Sequence, residues 1–220
     1  MEVVVGIAYF LVILIVSIML HEMAHGIAAL KFGDTTAKDA GRITLNPIPH
    51  IDPIGSILVP GVLIAMAMIF RATMFIIGWA KPVPVDPSRY SNFRAGTFWV
   101  SIAGVLTNFL IAGAAGLIIR LYVQDTDTLL FALLAPIVLL NVAIGFFNLI
   151  PMPPLDGSGM LSAVLGFSRE TQAKLNMFFF RYRFMIFMGI FMLMSFGAFK
   201  IFFQGVLFVF SFITGVSVFS

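Results

Sequence analysis

The run Val3–His25, VVVGIAYFLVILIVSIMLHEMAH, carries both the fold and the chemistry of this chain in one stretch. It holds no charge from Val3 to Leu20 and closes on His21-Glu22-Met23-Ala24-His25, an H-E-x-x-H motif. A helix, expected from Val3 to about Leu30, sets the two histidines four residues apart on one face, where one metal ion can meet both rings. Zinc is the usual occupant of such a pair, with the intervening Glu22 placed to take a proton from an attacking water. Lys31 lies six residues beyond His25. At 1.5 Å per residue the pair should therefore sit about 9 Å inside the membrane face that the lysine marks. Polar groups at that depth are costly, and their presence argues for a function.

The 220-residue chain is 60% apolar and only 10% charged, with a mean hydropathy of +1.07. Several apolar runs approach the ~20 residues that cross a bilayer, a composition no soluble domain of this length shows. The runs are continuous and do not alternate, which excludes a closed barrel. The expected fold is an all-α polytopic membrane protein, one membrane-embedded domain over residues 1–220. There is no cysteine, so a metal must be held by histidine, carboxylate and water. The first segment lacks the basic start and cleavage site of a signal peptide and is expected to be a retained helix. The lipid bilayer is the expected surrounding, no nucleic-acid partner is expected, and the oligomeric state stays open.

Further full crossings are expected at about 97–119, 129–148, 184–198 and 202–219, making about five in all. The segment 54–77 is apolar but broken by Pro60-Gly61 and interrupted by Arg71. Residues 158–183 read as short amphipathic helices at the surface. Short β-like pieces are expected near 42–46 and 82–85, where proline alternates with valine in the second. Those extended pieces are expected to hold an unwound substrate by edge pairing.

A catalytic zinc with an open position takes three protein ligands, and His21 and His25 supply two. Apart from Glu22, Asp156 is the acid expected at membrane depth. It follows Pro151-Met152-Pro153-Pro154, which must end or unwind the preceding helix. Irregular backbone at that depth suits a wet cavity and a third ligand. Leu155-Asp156-Gly157 also reads as a simple turn, since Asp-Gly favours turns. The presence of the histidine pair favours the ligand reading.

Two motifs together resemble the site-2 protease family of intramembrane zinc metalloproteases. They are the HEMAH stretch and Asn148-Leu149-Ile150-Pro151-Met152-Pro153-Pro154-Leu155-Asp156-Gly157. Residues 78–85, 42–47 and 50–55 are similar to segments of the compact subgroup without PDZ or CBS domains. The resemblance covers residues 1 to about 165, the expected catalytic core. It implies an endopeptidase with one zinc per chain on His21, His25 and Asp156, with Glu22 as catalytic base. Its implied substrates are transmembrane proteins, cut within or beside their membrane segments. It also implies a substrate-positioning role for the Asn108 amide, although an asparagine on a membrane helix is by default a helix–helix hydrogen bond. Val105 stands where family members have proline. Asn141 and Asn148 are expected to satisfy backbone groups freed by prolines, and His50 to serve in a loop.

Both motifs end their helices, and ligands of one metal must lie at one depth. Helices 3–30 and 129–150 must then run the same way, with an odd number of crossings between them. Of the two candidates, 54–77 is the one expected to be re-entrant or partly embedded. Loops 31–53, 71–95 and 151–183 then share one side and carry 3, 4 and 4 of the 13 Lys and Arg. That side should be cytoplasmic, in the plasma membrane of a prokaryote. A metal-ion or proton transporter is the alternative, since intramembrane His and Asp also line ion paths.

Overall fold

The computed structural model describes residues 2–70, 80–193, 197 and 199–217. Helix α1 (Glu2–Lys31) is followed by a short α2 (Thr36–Asp39) and by a π-helical turn Pro53–Leu58 that leads into α3 (Val59–Phe70). Then come α4 (Phe93–Tyr122), α5 (Leu129–Asn148), α6 (Asp156–Val164), α7 (Arg169–Leu193) and α8 (Phe199–Thr214). α1 ends where Gly33 takes φ +96°. There the Asp34 and Gly33 amides donate back to the carbonyls of Ala29 and Leu30, closing the helix on a glycine. α4 begins at Asn92, whose side chain accepts the Ala95 amide, and α5 at Thr128, whose hydroxyl accepts that of Phe131.

Among the described residues three helices are long and apolar enough to cross a membrane: α1 from Val5, α4 and α5. Their directions follow from two hydrogen bonds. The Tyr9 hydroxyl donates to the Leu133 carbonyl, and the Asn141 amide donates to Ser17; both pairs are 124 residues apart. A constant offset means that α1 and α5 run parallel, as the shared depth of the two motifs demands. α4 runs against them, for His25 meets Val100 whereas His21 meets Asn108. α3 has 12 residues, about 18 Å at helical rise and short of a ~30 Å hydrocarbon core. The remainder of segment 54–77, from residue 71, lies outside the described residues, as do Gly78 and Trp79.

α8 closes the far end of the α4–α5 pair around Ala112, Ile119, Val138, Val142, Val206 and Phe210. In lipid such packing rests on dispersion and close approach, since tails are as apolar as the helices. Gly116 shows how close: a methyl there would fall 2.2 Å from Ile213 Cγ2.

Two expectations are corrected. Among the described residues there is no strand; 42–46 forms bends and 82–85 is irregular. Pro82 and Pro84 have no N–H, so a ladder there would lack alternate donors. The Val83 amide is spent on a side chain. Residues 158–183 are not a set of short surface helices separate from a crossing at 184–198, because α7 runs unbroken from Arg169 to Leu193. No proline interrupts FFFRYRFMIF, and a break would leave backbone groups unpaired among apolar side chains. The end of that expected crossing, at 194–196 and 198, lies outside the described residues. Asp156-Gly157 begins α6, with Leu155 as its cap, so the turn reading set aside in favour of a ligand does not describe this position.

Candidate metal centre

On α1, Ser17, His21 and His25 follow one another at four-residue spacing, and on α4 so do Val100, Gly104 and Asn108. In the antiparallel pair the two histidines of one stripe meet the ends of the other. His21 Nδ1 lies 2.5 Å from Asn108 Oδ1, and His25 Nδ1 lies 2.6 Å from the Val100 carbonyl. Gly104 sits between, against both rings: a methyl on it would fall 2.5 Å from each Nε2.

With each Nδ1 facing an oxygen, each Nε2 is turned to the other and to Asp156. The two Nε2 atoms are 3.0 Å apart. Asp156 Oδ2 lies 3.2 Å from that of His21, and Oδ1 lies 3.4 Å from that of His25. Asp156 reaches this point because α6 begins directly on the end of α5. A methyl on Gly157 would fall 2.3 Å from the Leu149 carbonyl oxygen, so only glycine lets the two helix ends meet so tightly. The first turn of α6 also suits a carboxylate, since its amides point toward the helix start.

Glu22, between the histidines in sequence, faces a different segment. Its Oε2 accepts the Val83 amide at 2.7 Å. The segment 81–83 is held there by buried Arg42, whose Nη2 donates to the carbonyls of Lys81 and Pro82 at 2.5 and 3.2 Å. The Lys81 amide in turn donates to the His50 carbonyl. His50 itself is buried beside Thr44 and lies outside the group of ligand atoms. Burial depresses its pKa and nearby Arg42 adds to this, outweighing the Thr44 carbonyl and Glu22.

Next to Asp156 opens a cavity of about 460 Å³. α4 contributes Thr97, Val100 and Ser101 to its wall, and α7 contributes Gln172, Asn176, Phe179 and Phe180. The Thr97 hydroxyl and the Gln172 carbonyl oxygen are buried without hydrogen-bond partners.

Sequence reasoning named His21, His25 and Asp156, and the structure brings these three within 4.8 Å of one another. It placed Asn108 against substrate; the structure buries Asn108 completely, with Oδ1 on His21 and Nδ2 on Asn141 at 2.8 Å. Asn141 and Asn148 bond the carbonyls one turn back, Ile137 and Ile144, not ones freed by prolines. Gly104, Val100 and Ser17 were missed. The four-residue stripe on α4 is the signal that could have found the first two.

The profile of peptidase family M50 matches residues 116–196, which includes Asp156 but not the histidine pair. A Bacillus subtilis (strain 168) protein provisionally named zinc metalloprotease YwhC is 38% identical over 156 residues, 68% of this chain and 65% of its own length. The chain belongs to peptidase family M50. Rip2 of Mycobacterium tuberculosis (strain ATCC 25618 / H37Rv), likewise a provisional zinc metalloprotease, is 29% identical to this M50 chain over 73% of it and 58% of Rip2. Zinc metalloprotease MJ0392 of Methanocaldococcus jannaschii is 28% identical over 77% of the chain and 39% of its own. The M50 chain thus spans less than two thirds of the length of the curated relatives it matches. No solved structure matches it.

Zinc fits the donor set of this M50 chain on its own evidence. With both Nδ1 positions used as donors, two Nε2 lone pairs face each other at 3.0 Å. Asp156 Oδ2 is buried beside them with no hydrogen-bond donor. Three electron-rich atoms crowded together without a proton repel one another unless a cation lies among them. Two imidazole nitrogens and a carboxylate are a zinc set that leaves a fourth position open.

Proposed function

We propose that this chain is a zinc-dependent endopeptidase that hydrolyses peptide bonds within or beside the membrane segments of other proteins. The observation that carries the reading is the convergence of Asp156 with the His21 and His25 pair, 131 or more residues before it, onto one buried point beside a cavity. His21, His25 and Asp156 would hold the metal. Bound there, zinc would acidify a water and polarise the scissile carbonyl.

The protein's own groups do the rest. Glu22 takes the water proton and passes it to the leaving amine. Its Oε2 is fixed by the Val83 amide, which leaves Oε1 to carry the proton. Asn108 acts through His21, in keeping with its full burial, and not on the substrate. The cavity beside Asp156 receives the unwound peptide. Its apolar walls suit membrane-segment side chains, and its unpaired Thr97 and Gln172 oxygens suit freed backbone amides.

Residues 1–220 form one membrane domain with its catalytic core in about 1–165. Five crossings serve it: α1, α4, α5, the later part of α7, and α8, with residues 54–70, the described part of segment 54–77, re-entrant or partly embedded. The parallel course of α1 and α5 supports this count, since α4 supplies the single crossing they need between them. The basic loops put the active site near the cytoplasmic face of a prokaryotic plasma membrane. The transporter reading finds no support, because among the described residues the side chains able to hold a metal gather at one point.

Metal content of purified protein, wild type against Asp156→Ala, tests the reading without a known substrate. About one zinc per chain, much reduced in the variant, is expected, and Glu22→Gln should keep zinc while losing cleavage of a membrane substrate. Wild type that takes up no zinc after reconstitution would sink the proposal.

A further inference from the structure

We propose that Asn141, deep in α5, is a positioning residue for the metal centre, acting through Asn108 to lock His21 in the tautomer that can bind a metal. The inference rests on the metal-site reading above. Its starting point is a carbonyl. The Ile137 oxygen can only accept, so the Asn141 atom that meets it at 2.9 Å is Nδ2. The second Nδ2 hydrogen goes to Ser17 Oγ, also at 2.9 Å. Both donors are then spent, and Asn141 must present Oδ1 to Asn108.

Asn108 therefore donates with Nδ2, at 2.8 Å, and turns Oδ1 toward His21. That oxygen accepts from His21 Nδ1 at 2.5 Å. A neutral imidazole has one N–H, so Nε2 keeps its lone pair and faces Asp156. Each link is forced by the one before it, and Ser17, Asn108 and Asn141 are all buried, so no water substitutes.

His25 shows why a relay is needed at only one of the two ligands. Its Nδ1 meets the Val100 carbonyl, a backbone acceptor that cannot turn over. An asparagine amide can. Without Asn141, Asn108 could rotate its NH₂ toward His21 Nδ1, which would then accept and move the ring proton to Nε2, where a metal must bind.

The test is zinc affinity of the full-length protein in detergent, by competition with a chelator. It compares wild type, Asn141→Leu, Asn108→Asp and the double variant. A carboxylate at 108 accepts through either oxygen and cannot be turned wrongly, so it should make the relay unnecessary. Asn141→Leu is expected to weaken zinc binding about 10- to 100-fold in the wild-type background and to cost nothing further beside Asn108→Asp. An equal loss in both backgrounds would mean that Asn141 acts by packing, and would overturn the proposal. No loss in either would do the same.

A second readout needs no variant of Asn141. In metal-free, ¹⁵N-histidine-labelled wild type, the His21 signals, assigned by their absence in His21→Gln, should report the Nδ1–H tautomer. The Nε2–H form would overturn the relay. If wild type binds no zinc at all, the metal centre fails and the relay with it, whereas intact wild-type binding with an unaffected Asn141→Leu removes the relay alone.

Discussion

Gly104 stands in van der Waals contact with the imidazole of His21, so close that a methyl group on it would lie 2.5 Å from Nε2 and 2.6 Å from Cε1. The same methyl would meet His25 Nε2 at 2.5 Å. Neither ring can swing aside freely, because each Nδ1 is tied to α4 itself. Gly104→Ala should therefore drive the two ligand nitrogens off the metal position. As a helix residue alanine is better than glycine by about 1 kcal/mol, which offsets only part of the roughly 1–3 kcal/mol that such a clash costs. The expected result is zinc content reduced at least about tenfold with a melting temperature lowered only modestly. Wild-type zinc in this variant would show that the rings have room to spare.

Arg42 and Glu22 are linked through the backbone between Lys81 and Val83. Removing the guanidinium frees two carbonyls and releases the Val83 amide from its place on Glu22. A charged hydrogen bond of this kind contributes about 1.5–3 kcal/mol. Arg42→Ala should lower kcat roughly 10- to 100-fold if the loss falls on the placement of Glu22. Zinc content should not change, since Arg42 touches none of the three ligands. Arg42→Lys, which retains one donor head, should recover part of the rate. Loss of zinc in Arg42→Ala would mean that the segment supports the whole site and not Glu22 alone.

Asp34 pins the loop after α1 to the segment that ends at Asp86. Burial by itself would raise its pKa, but the Thr36 hydroxyl and amide and the Asp86 amide outweigh burial and hold it below the ordinary value of 3.8. A depressed carboxylate pKa contributes stability that is complete above the unfolded value and lost as pH falls through the folded one. Amide exchange at Thr36 and Asp86 should accordingly be slow at neutral pH and gain its extra opening only below pH 3.8. Asp34→Asn, which keeps one acceptor oxygen in place of two, should open one of the two amides at neutral pH and abolish that acid step. An acid step surviving in the variant would assign it to Asp86, which is also depressed, by the Ser88 hydroxyl and amide.

The parts of this site that the sequence made legible share one property: they are local or forced by cost. His21 and His25 lie one helical turn apart, and Asp156 is an acid in a place where acids are expensive. What escaped were contacts between helices. Nothing near Gly104 says that it faces two imidazoles, because the information lies in the antiparallel match of α4 to α1. Asn141 read as serving backbone freed by prolines, yet its Nδ2 donates to both Ile137 and Ser17 and its Oδ1 accepts from Asn108. The misread strands have a plainer cause. Pro82-Val83-Pro84-Val85 has the alternation of a strand, but two of its four residues lack the N–H that a ladder requires. α7 was cut in two because its charged first half reads as a surface helix, whereas the backbone continues from that polar stretch into the apolar one without a break.

Thr97 offers the sharpest probe of the cavity. Its side chain is buried at 5% exposure, yet its hydroxyl has no hydrogen-bond partner and opens on the space beside Asp156. Leaving a buried hydroxyl unpaired costs about 1–3 kcal/mol, which a valine of nearly the same shape would not incur. If the hydroxyl waits for a substrate amide, Thr97→Val should raise the stability of the free protein and lower kcat/KM about tenfold. The zinc content should be that of wild type, because Thr97 is not among the ligands or their partners. Stability measured in detergent and cleavage of one membrane substrate, on the same preparation, separate the two effects. A stabilised variant that still cleaves at the wild-type rate would show that the peptide runs along another wall of the cavity, and α7, with Gln172 and Asn176, would be the wall to test next.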